Sequence, residues 1–322
     1  MKPKVLVTES IHQVGWDILA AETEAVAWGG QEKELLGKAM ETARAVLVRI
    51  ARLSAEIIRG ARHLRVIAKH GVGYDNIDVS AATACGVVLT NTPTANSQSV
   101  AEQALALLLA VARRIGDSDR DLALGKLRTQ KSYQGIELSG KVMGIIGVGG
   151  AGLRLAQMTG NGLGMRVIGY DPYKEPWPEG VERYRELEAL LAEADFLSIH
   201  VPLTQETRNL IGPAALARMK PTCILVNTAR GGIVDEAAVG EAIRGGRLAG
   251  AGLDVVADEP LKPDHPLAGL PNVILTPHVA GVTDEAMMRM AQSAAEDILR
   301  VLRGERPKYP VNPEVLAQRG IR

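Results

Sequence analysis

The feature that most constrains the fold is a glycine-rich segment between two short apolar runs, within residues 141–171. An apolar run at residues 142–146 predicts a buried strand, and Gly147, Gly149 and Gly152 follow it in G-x-G-x-x-G spacing. A helical pattern then covers about residues 151–162. In this arrangement the first glycine permits a tight turn, the second lets the backbone approach a pyrophosphate, and the third lets the helix pack closely on the strand. The segment therefore predicts a dinucleotide site at a helix N-terminus.

A second apolar run, at residues 165–170, ends on Asp171. A carboxylate at the tip of this strand can accept hydrogen bonds from both ribose hydroxyls, so Asp171 strengthens the prediction. The alternative is a glycine-rich turn in an α/β domain that binds no nucleotide. A strand before the glycines, a helix after them and an acid at the expected distance favour the dinucleotide site.

Composition limits the class of partner. The 322 residues suffice for two domains, and 37 Lys and Arg balance 37 Asp and Glu. With zero net charge, we expect neither a nucleic-acid partner nor a membrane surface. The six histidines and two cysteines show no metal-ligand spacing, so no metal is expected. We expect a cytoplasmic protein because the N-terminus resembles a strand rather than a signal peptide and no apolar stretch is long enough to span a bilayer.

Short β-branched runs alternate with helical patterns on both sides of the glycine-rich segment. Candidate strands occur within residues 4–90 and again at 196–200, 223–227, 249–253 and 273–275. Such alternation predicts an α/β fold with two doubly wound parallel sheets. A polar break at residues 92–99 suggests a crossing between two domains.

The loop after the fourth candidate strand is a second candidate site, because ligands of such sheets bind at the carboxyl ends of strands. It consists of His70, Gly71, Val72 and Gly73. Its glycines favour consecutive exposed N–H groups, an arrangement suited to a small carboxylate. A simple turn is the alternative interpretation.

Three polar residues follow strands of the second half of the chain: Arg230, Glu259 and His278. We expect them to converge at one edge of the sheet. An imidazole can donate a proton to a carbonyl oxygen, a neighbouring carboxylate can orient the ring, and a guanidinium can hold a substrate carboxylate. Each has an alternative role, since His278 fits a loop, Glu259 a solvated turn and Arg230 a partner for Asp235.

Together these segments resemble the NAD-dependent D-2-hydroxyacid dehydrogenase family. The likeness rests on GVGGAG with Asp171, HVPLTQETRNLIG, NTARGGIVDE, LDVVADEP and TPHVAG, and it extends to KHGVGYDNID. It implies a Rossmann NAD domain, residues 99–284, inserted into a flavodoxin-like substrate domain, residues 1–98 and 285–322. It also implies a homodimer.

The resemblance also implies site residues. The catalytic trio is Arg230, Glu259 and His278. The loop from His70 through Gly71 and Val72 to Gly73 is expected to hold the substrate carboxylate, and Arg49 to approach the far end of the substrate.

The residues expected to contact NAD all lie at or just after the carboxyl ends of strands. They are Gly147, Gly149, Gly150, Ala151, Gly152, Asp171, Val201, Thr228 and Asp254. Within this set, Asp254 is expected to hold the nicotinamide carboxamide. Asp171 favours NAD over NADP because a carboxylate repels a 2′-phosphate. Many members of the family carry Arg where this chain has Gly150.

We therefore expect an oxidoreductase that transfers hydride between NAD(H) and a small anionic D-2-hydroxy or 2-keto acid. Arg49 favours a substrate like 3-phosphoglycerate. The alternatives are a hydroxypyruvate or glyoxylate reductase, a phosphite-type dehydrogenase, and an NAD-sensing protein related to corepressors.

Overall fold

The computed structural model describes residues 2–29, 33–126 and 129–321. The chain divides into two compact units. The first comprises Met1–Asn96 and Gly281–Arg322, and the second comprises Ser97–Ala280.

Within the described residues, the strands in chain order are β1 (Lys4–Val7), β2 (Glu24–Ala27), β3 (Ala45–Val48), β4 (Val66–Lys69), β5 (Val88–Thr90), β6 (Val142–Ile146), β7 (Arg166–Tyr170), β8 (Glu182–Arg183), β9 (Phe196–Ile199), β10 (Ile224–Asn227), β11 (Gly250–Leu253) and β12 (Val273–Leu275). The α-helices are α1 (Gln13–Glu22), α2 (Lys33–Met40), α3 (Ala55–Gly60), α4 (Val79–Ala84), α5 (Ser97–Ala112), α6 (Ile115–Ala123), α7 (Gly150–Gln157), α8 (Leu187–Glu193), α9 (Pro213–Leu216), α10 (Glu236–Arg244), α11 (Asp284–Arg303) and α12 (Glu314–Gln318). Every helix of the described chain is too short or too polar to cross a lipid bilayer.

The first unit is built on a parallel sheet of five strands in the order β2-β1-β3-β4-β5. Successive residues of β1 belong to cores on opposite faces. Val5 and Val7 share a core cluster with Ile298 of α11, whereas Leu6 packs in a cluster with Ile58 of α3. Helices thus cover both faces, which explains why the strands are apolar at nearly every position.

Buried polar groups fasten the C-terminal segment to the edge of this sheet. Asn312 is 1% exposed, and its Oδ1 accepts the Leu89 N–H at 2.8 Å while its Nδ2 donates to the Val87 carbonyl at 2.9 Å. The segment after α11 therefore satisfies backbone groups in β5 and just before it that would otherwise be unpaired.

The second unit is built on a parallel sheet of seven strands in the order β12-β11-β10-β9-β6-β7-β8. From β6 the chain extends the sheet through β7 and β8, then returns to the other side of β6 with β9. The strand order reverses between β6 and β9, and ligands of open α/β sheets bind in the crevice at that point. The glycine-rich turn follows β6 directly.

The predicted α/β fold with two parallel sheets is confirmed. The local differences include one strand and the end of one helix in the second unit. The edge strand β8 was not predicted, because two residues carry no recognisable pattern. The helix expected to reach residue 162 is an α-helix only to Gln157, and Met158–Gly162 continues it as a short π-helix. The hydroxyl of Thr159 donates to the Leu155 carbonyl there at 2.8 Å, in a segment whose glycines tolerate the wider turn.

Candidate active site

The turn between β6 and α7 requires glycine at two positions. Gly147 has φ of 89°, and a Cβ there would lie 2.7 Å from the carbonyl oxygen of His200. A Cβ on Gly152 would lie 2.1 Å from the carbonyl oxygen of Gly147, closer than any real contact. The absence of these two side chains lets α7 begin directly against the end of β6.

The first turn of α7 is open towards an anion. Gly149 is the N-cap and supplies no capping side chain, and a Cβ on it would meet nothing within 4 Å. Gly150 and Ala151 are the next two residues and carry N–H groups that an α-helix leaves without intrahelical partners. Since these groups and the helix dipole favour negative charge, the turn fits the pyrophosphate of a dinucleotide.

Gly150 lies against another side chain of the same unit. A Cβ at this position would be 2.5 Å from the hydroxyl oxygen of Ser97, so a larger residue requires Ser97 to move.

Asp171 is fixed beside the glycine-rich turn. Its Oδ2 accepts the N–H of Val148 at 3.0 Å, and its Oδ1 accepts the N–H of Tyr173 at 3.1 Å. Val148 lies between the first two glycines of the fingerprint, so the carboxylate and the turn hold each other in place. The carboxylate is half-buried, and its contact with a ribose stays a prediction.

Two further predicted cofactor contacts lie at the ends of β9 and β10. A Cβ on Gly147 would be 2.8 Å from the Val201 side chain, which places Val201 against the turn. Thr228 is 7% exposed, and its buried hydroxyl oxygen has no hydrogen-bond partner within the described chain. Because buried hydroxyls are normally hydrogen-bonded, this orphan atom fits a site that a polar ligand completes.

Glu259 and His278 meet beyond the ends of β11 and β12. Nδ1 of His278 and Oε2 of Glu259 are 2.9 Å apart, and the two side chains are 48% and 39% exposed. The second carboxylate oxygen, Oε1, accepts the N–H of Val256 at 3.3 Å. An accessible imidazole whose one nitrogen is bound to a carboxylate can exchange a proton through the other nitrogen.

The loop that carries Arg230 packs against the loop that carries Glu259. A Cβ on Gly231 would lie 1.9 Å from the carbonyl carbon of Val256 and 2.2 Å from the nitrogen of Ala257. The guanidinium Nη1 of Arg230 donates to the Ala229 carbonyl at 2.7 Å. The structure therefore brings all three predicted catalytic residues to loops at one edge of the sheet, as the sequence indicated.

Asp254 organises the turn that presents His278. Its carboxylate accepts the Thr276 hydroxyl at 2.5 Å and the N–H groups of Val279 and Ala280 at 3.0 and 2.8 Å. His278 has φ of 55°, and its own N–H donates to the Asp254 carbonyl at 2.8 Å. A non-glycine residue in the left-handed region needs such support from its surroundings.

This support was not apparent from the sequence. For Asp254 the family resemblance implied only a nicotinamide contact, and that role stays a prediction. The sequence does offer a signal for this support. An acid, Asp254, ends one strand, and the TPH segment that contains His278 follows the next strand.

A cavity of about 400 Å³ opens beside these residues within the second unit. Its lining combines the polar groups of Asp254, Glu259 and His278 with the apolar side chains of Leu261 and Leu275. A mostly apolar cavity with a few convergent polar groups is typical of a site for a small molecule or cofactor.

The predicted substrate loop lies in the first unit, after β4. His70 is 3% exposed, and neither ring nitrogen has a partner within the described chain. Burial, reinforced by the nearby charge of Arg49, lowers the pKa of His70 to about 4, so the ring is neutral at physiological pH. Gly71 has φ of 138°, and its N–H donates to the Thr92 hydroxyl at 3.0 Å. The Gly71 amide is thus engaged within the chain. Binding of a substrate carboxylate by this loop, including Val72 and Gly73, stays a prediction.

Arg49 lies in a turn held by an acid of the same unit. The carboxylate of Glu9 accepts the N–H groups of Arg49 at 2.8 Å and Ala51 at 2.5 Å, and the Lys69 ammonium donates to the Arg49 carbonyl. The turn is therefore rigidly placed, and contact of Arg49 with a substrate stays a prediction.

Comparison with known proteins agrees with this geometry. A family model described as the NAD binding domain of D-isomer specific 2-hydroxyacid dehydrogenase matches residues 105–280, more than half of the chain. This chain belongs to the D-isomer specific 2-hydroxyacid dehydrogenase family. The predicted family and a nicotinamide cofactor are thereby confirmed, and the chain is an oxidoreductase of the NAD-linked hydroxy-acid and keto-acid class.

Individual dehydrogenases of this family resemble the chain along nearly its whole length. A glyoxylate reductase of Korarchaeum cryptofilum is 41% identical over 99% of this chain and 98% of that protein. A D-3-phosphoglycerate dehydrogenase of Archaeoglobus fulgidus is 42% identical over 96% of this chain, but the match spans only 59% of that protein. The solved structure of an NADPH-dependent glyoxylate/hydroxypyruvate reductase from Sinorhizobium meliloti, in complex with NADP and malonate, has a TM-score of 0.86 at 28% identity and covers 97% of each chain.

Proposed function

We propose that Arg230, Glu259 and His278 carry the hydroxy-acid and keto-acid chemistry of this chain. The observation that supports the proposal most directly is the 2.9 Å contact between His278 Nδ1 and Glu259 Oε2 at the edge of the nucleotide-binding sheet. A histidine held in this way by a carboxylate is oriented to use Nε2 for proton transfer.

The residues of the chain have distinct roles in this proposal. When bound, NADH supplies the hydride. His278 holds the proton at Nε2 and donates it to the keto oxygen, while Glu259 fixes the ring through Nδ1. The Arg230 guanidinium binds the substrate carboxylate, a pairing that suits its planar fork of donors. In the direction of oxidation, His278 accepts the hydroxyl proton instead.

We further propose that NAD is preferred over NADP. The Asp171 carboxylate, which the N–H groups of Val148 and Tyr173 hold in place, would repel a 2′-phosphate and accept hydrogen bonds from ribose hydroxyls. The Sinorhizobium meliloti relative was solved with NADP, so the cofactor preference has to be measured on this protein.

For the substrate, two kinds of short anionic keto acid have support, one phosphorylated and one not. Arg49, in its fixed turn, favours the phosphorylated keto acid that corresponds to 3-phosphoglycerate. The full-length likeness to a glyoxylate reductase favours glyoxylate or hydroxypyruvate. The test is NADH oxidation, followed by absorbance, with glyoxylate, hydroxypyruvate and phosphohydroxypyruvate at equal concentrations. A kcat/KM that is highest for phosphohydroxypyruvate and falls in Arg49→Ala supports the first substrate; an unchanged ranking in Arg49→Ala contradicts the role of Arg49.

A homodimer and a cytoplasmic location complete the proposal. Three apolar side chains in and beside α6 are largely exposed: Ile115, Leu122 and Leu124. Several exposed apolar groups in and beside one helix favour a contact with a second copy of the chain. Sedimentation velocity and cell fractionation test the two statements, and a monomer at micromolar concentration would contradict the first.

A further inference from the structure

A second pair of a glutamate and a histidine lies buried near the proposed catalytic residues. Glu236 is the first residue of α10, and His265 follows the loop that carries Glu259. Both side chains are 9% exposed, and His265 Nε2 and Glu236 Oε2 are 2.8 Å apart. Burying a carboxylate costs free energy unless its oxygens are hydrogen-bonded. The groups that bind the oxygens of Glu236 therefore indicate which part of the structure the pair stabilises.

The hydrogen bonds of the pair have a defined direction. Nδ1 of His265 accepts the N–H of Leu267 at 3.3 Å, so the proton of a neutral ring lies on Nε2 and is donated to Glu236. The other oxygen of Glu236, Oε1, accepts the N–H of Ala257 at 2.7 Å. Glu236 thus uses one oxygen for His265 and the other for the backbone of the loop after β11.

That loop carries Glu259 two residues further on. From Ala257 to Pro260 the loop is exposed, so packing holds it weakly. The backbone N–H of Ala257 is bound by Glu236. Gly231, in the loop that carries Arg230, packs against the same stretch of backbone. Beyond this point Glu259 reaches His278. A continuous series of contacts therefore joins Glu236 to the imidazole.

We propose that Glu236, held by His265, is a positioning residue for Glu259 and hence for His278. This inference rests on the proposed function, since it assigns a support to the same proton-transfer pair. Glu236 acts through the loop rather than by touching substrate or cofactor. A loss of the bond to Ala257 lets the Glu259 loop shift, and displacements of about 1 Å in a reactive arrangement reduce rates by up to roughly 100-fold.

The first test is Glu236→Gln, compared with Glu241→Gln on the exposed side of α10. The glutamine amide cannot accept hydrogen bonds from both His265 and Ala257, because only one of its two terminal atoms is an acceptor. We expect kcat for keto-acid reduction to fall between about 5-fold and 100-fold in Glu236→Gln. The dissociation constant for NADH, measured by fluorescence, should stay within about twofold, and Glu241→Gln should leave both unchanged. Equal losses in kcat and in NADH affinity would contradict the proposal.

The second test is a double-mutant cycle with Glu259, all four proteins being assayed well below their melting temperatures. If Glu236 acts through Glu259, the double variant Glu236→Gln/Glu259→Gln should be no slower than Glu259→Gln alone. Multiplicative losses would overturn the inference and leave the proposed function intact. A wild-type protein that reduces no 2-keto acid would instead contradict the proposed function.

If Glu236→Gln does not fold, substitutions of His265 test the proposal independently. His265→Gln keeps a side-chain N–H donor for Glu236, whereas His265→Leu removes it. We expect His265→Gln to retain a kcat at least about fivefold higher than His265→Leu. Equal kcat values in the two folded variants would contradict a role for the hydrogen bond.

Discussion

At the scale of single residues, His278 is the group whose removal should affect the chemistry most. Its ring is accessible, bound to Glu259 and held in a left-handed turn by Asp254. We expect His278→Ala to lower kcat by about 100- to 10,000-fold, the contribution of a positioned general acid. The NADH dissociation constant should change little, because the proposed pyrophosphate and ribose contacts lie elsewhere on the sheet edge. Steady-state kinetics and fluorescence titration measure the two quantities.

The matched control for this substitution is His63→Ala, which removes an exposed histidine of the first unit. It should behave as the wild type. A His278→Ala protein with more than a tenth of the wild-type kcat would show that the proton comes from another group.

Asp171 governs a second property at this scale, the choice between NADH and NADPH. Asp171→Ala removes the charge that repels a 2′-phosphate and also removes the acceptor for the ribose hydroxyls. We expect the ratio of kcat/KM values, NADH over NADPH, to fall by about 10- to 100-fold, equivalent to about 1.4–2.7 kcal/mol. Glu179→Ala, which removes an exposed acid from the same segment, is the control. An equal ratio in Asp171→Ala and wild type would remove Asp171 from the cofactor site.

At the scale of elements, the segment between α11 and α12 should contribute to the stability of the first unit through Asn312. Its side chain binds the Leu89 N–H and the Val87 carbonyl, both of which are buried. Asn312→Ala leaves these groups without partners, at a cost of about 1–3 kcal/mol for each. We expect the free energy of unfolding to fall by about 3 kcal/mol in urea denaturation followed by circular dichroism. Gln318→Ala, on the exposed side of α12, should change it by less than about 0.5 kcal/mol.

Sequence patterns were informative for elements whose contacts are local. The strand–turn–helix around Gly147 and Gly152 was predictable because its steric requirements fall within a few residues of one another. The convergence of Arg230, Glu259 and His278 followed from their places after strands of one parallel sheet. Their roles were inferred from the chemistry of the three side chains and from the family resemblance, and they stay predictions until variants are measured.

Contacts between distant segments were not predictable from these patterns. Nothing in the sequence around Gly231 indicates that its missing side chain makes room for the backbone of Val256. Similarly, the bonds of Asp254 to the N–H groups of Val279 and Ala280 depend on how two loops fold beside each other. Such contacts depend on how the strands pack in the sheet, and the hydrophobic periodicity of a single segment does not encode that packing.

At the scale of the whole molecule, each unit contains a histidine that folding keeps neutral. Burial lowers the pKa of His70 in the first unit to about 4, with a further contribution from Arg49, and burial lowers the pKa of His200 in the second unit to about 4. An unfolded histidine titrates near 6.5, so between about pH 6.5 and 4 the unfolded chain binds more protons than the folded one. With respect to these two histidines, stability is therefore fully present above about pH 6.5 and decreases as the pH falls through this window.

The contribution of His70 to this acid sensitivity can be isolated. With pKa values of about 4 folded and 6.5 unfolded, His70 should account for a loss of about 2 kcal/mol between pH 8 and pH 5. His70→Gln has no titrating group there, so its free energy of unfolding should fall by about 2 kcal/mol less than that of the wild type over the same interval. Urea denaturation at the two pH values measures the difference, and His63→Gln, at an exposed site, should follow the wild type. Parallel pH dependence in His70→Gln and wild type would show that His70 can be protonated without cost in the folded protein, contrary to its burial.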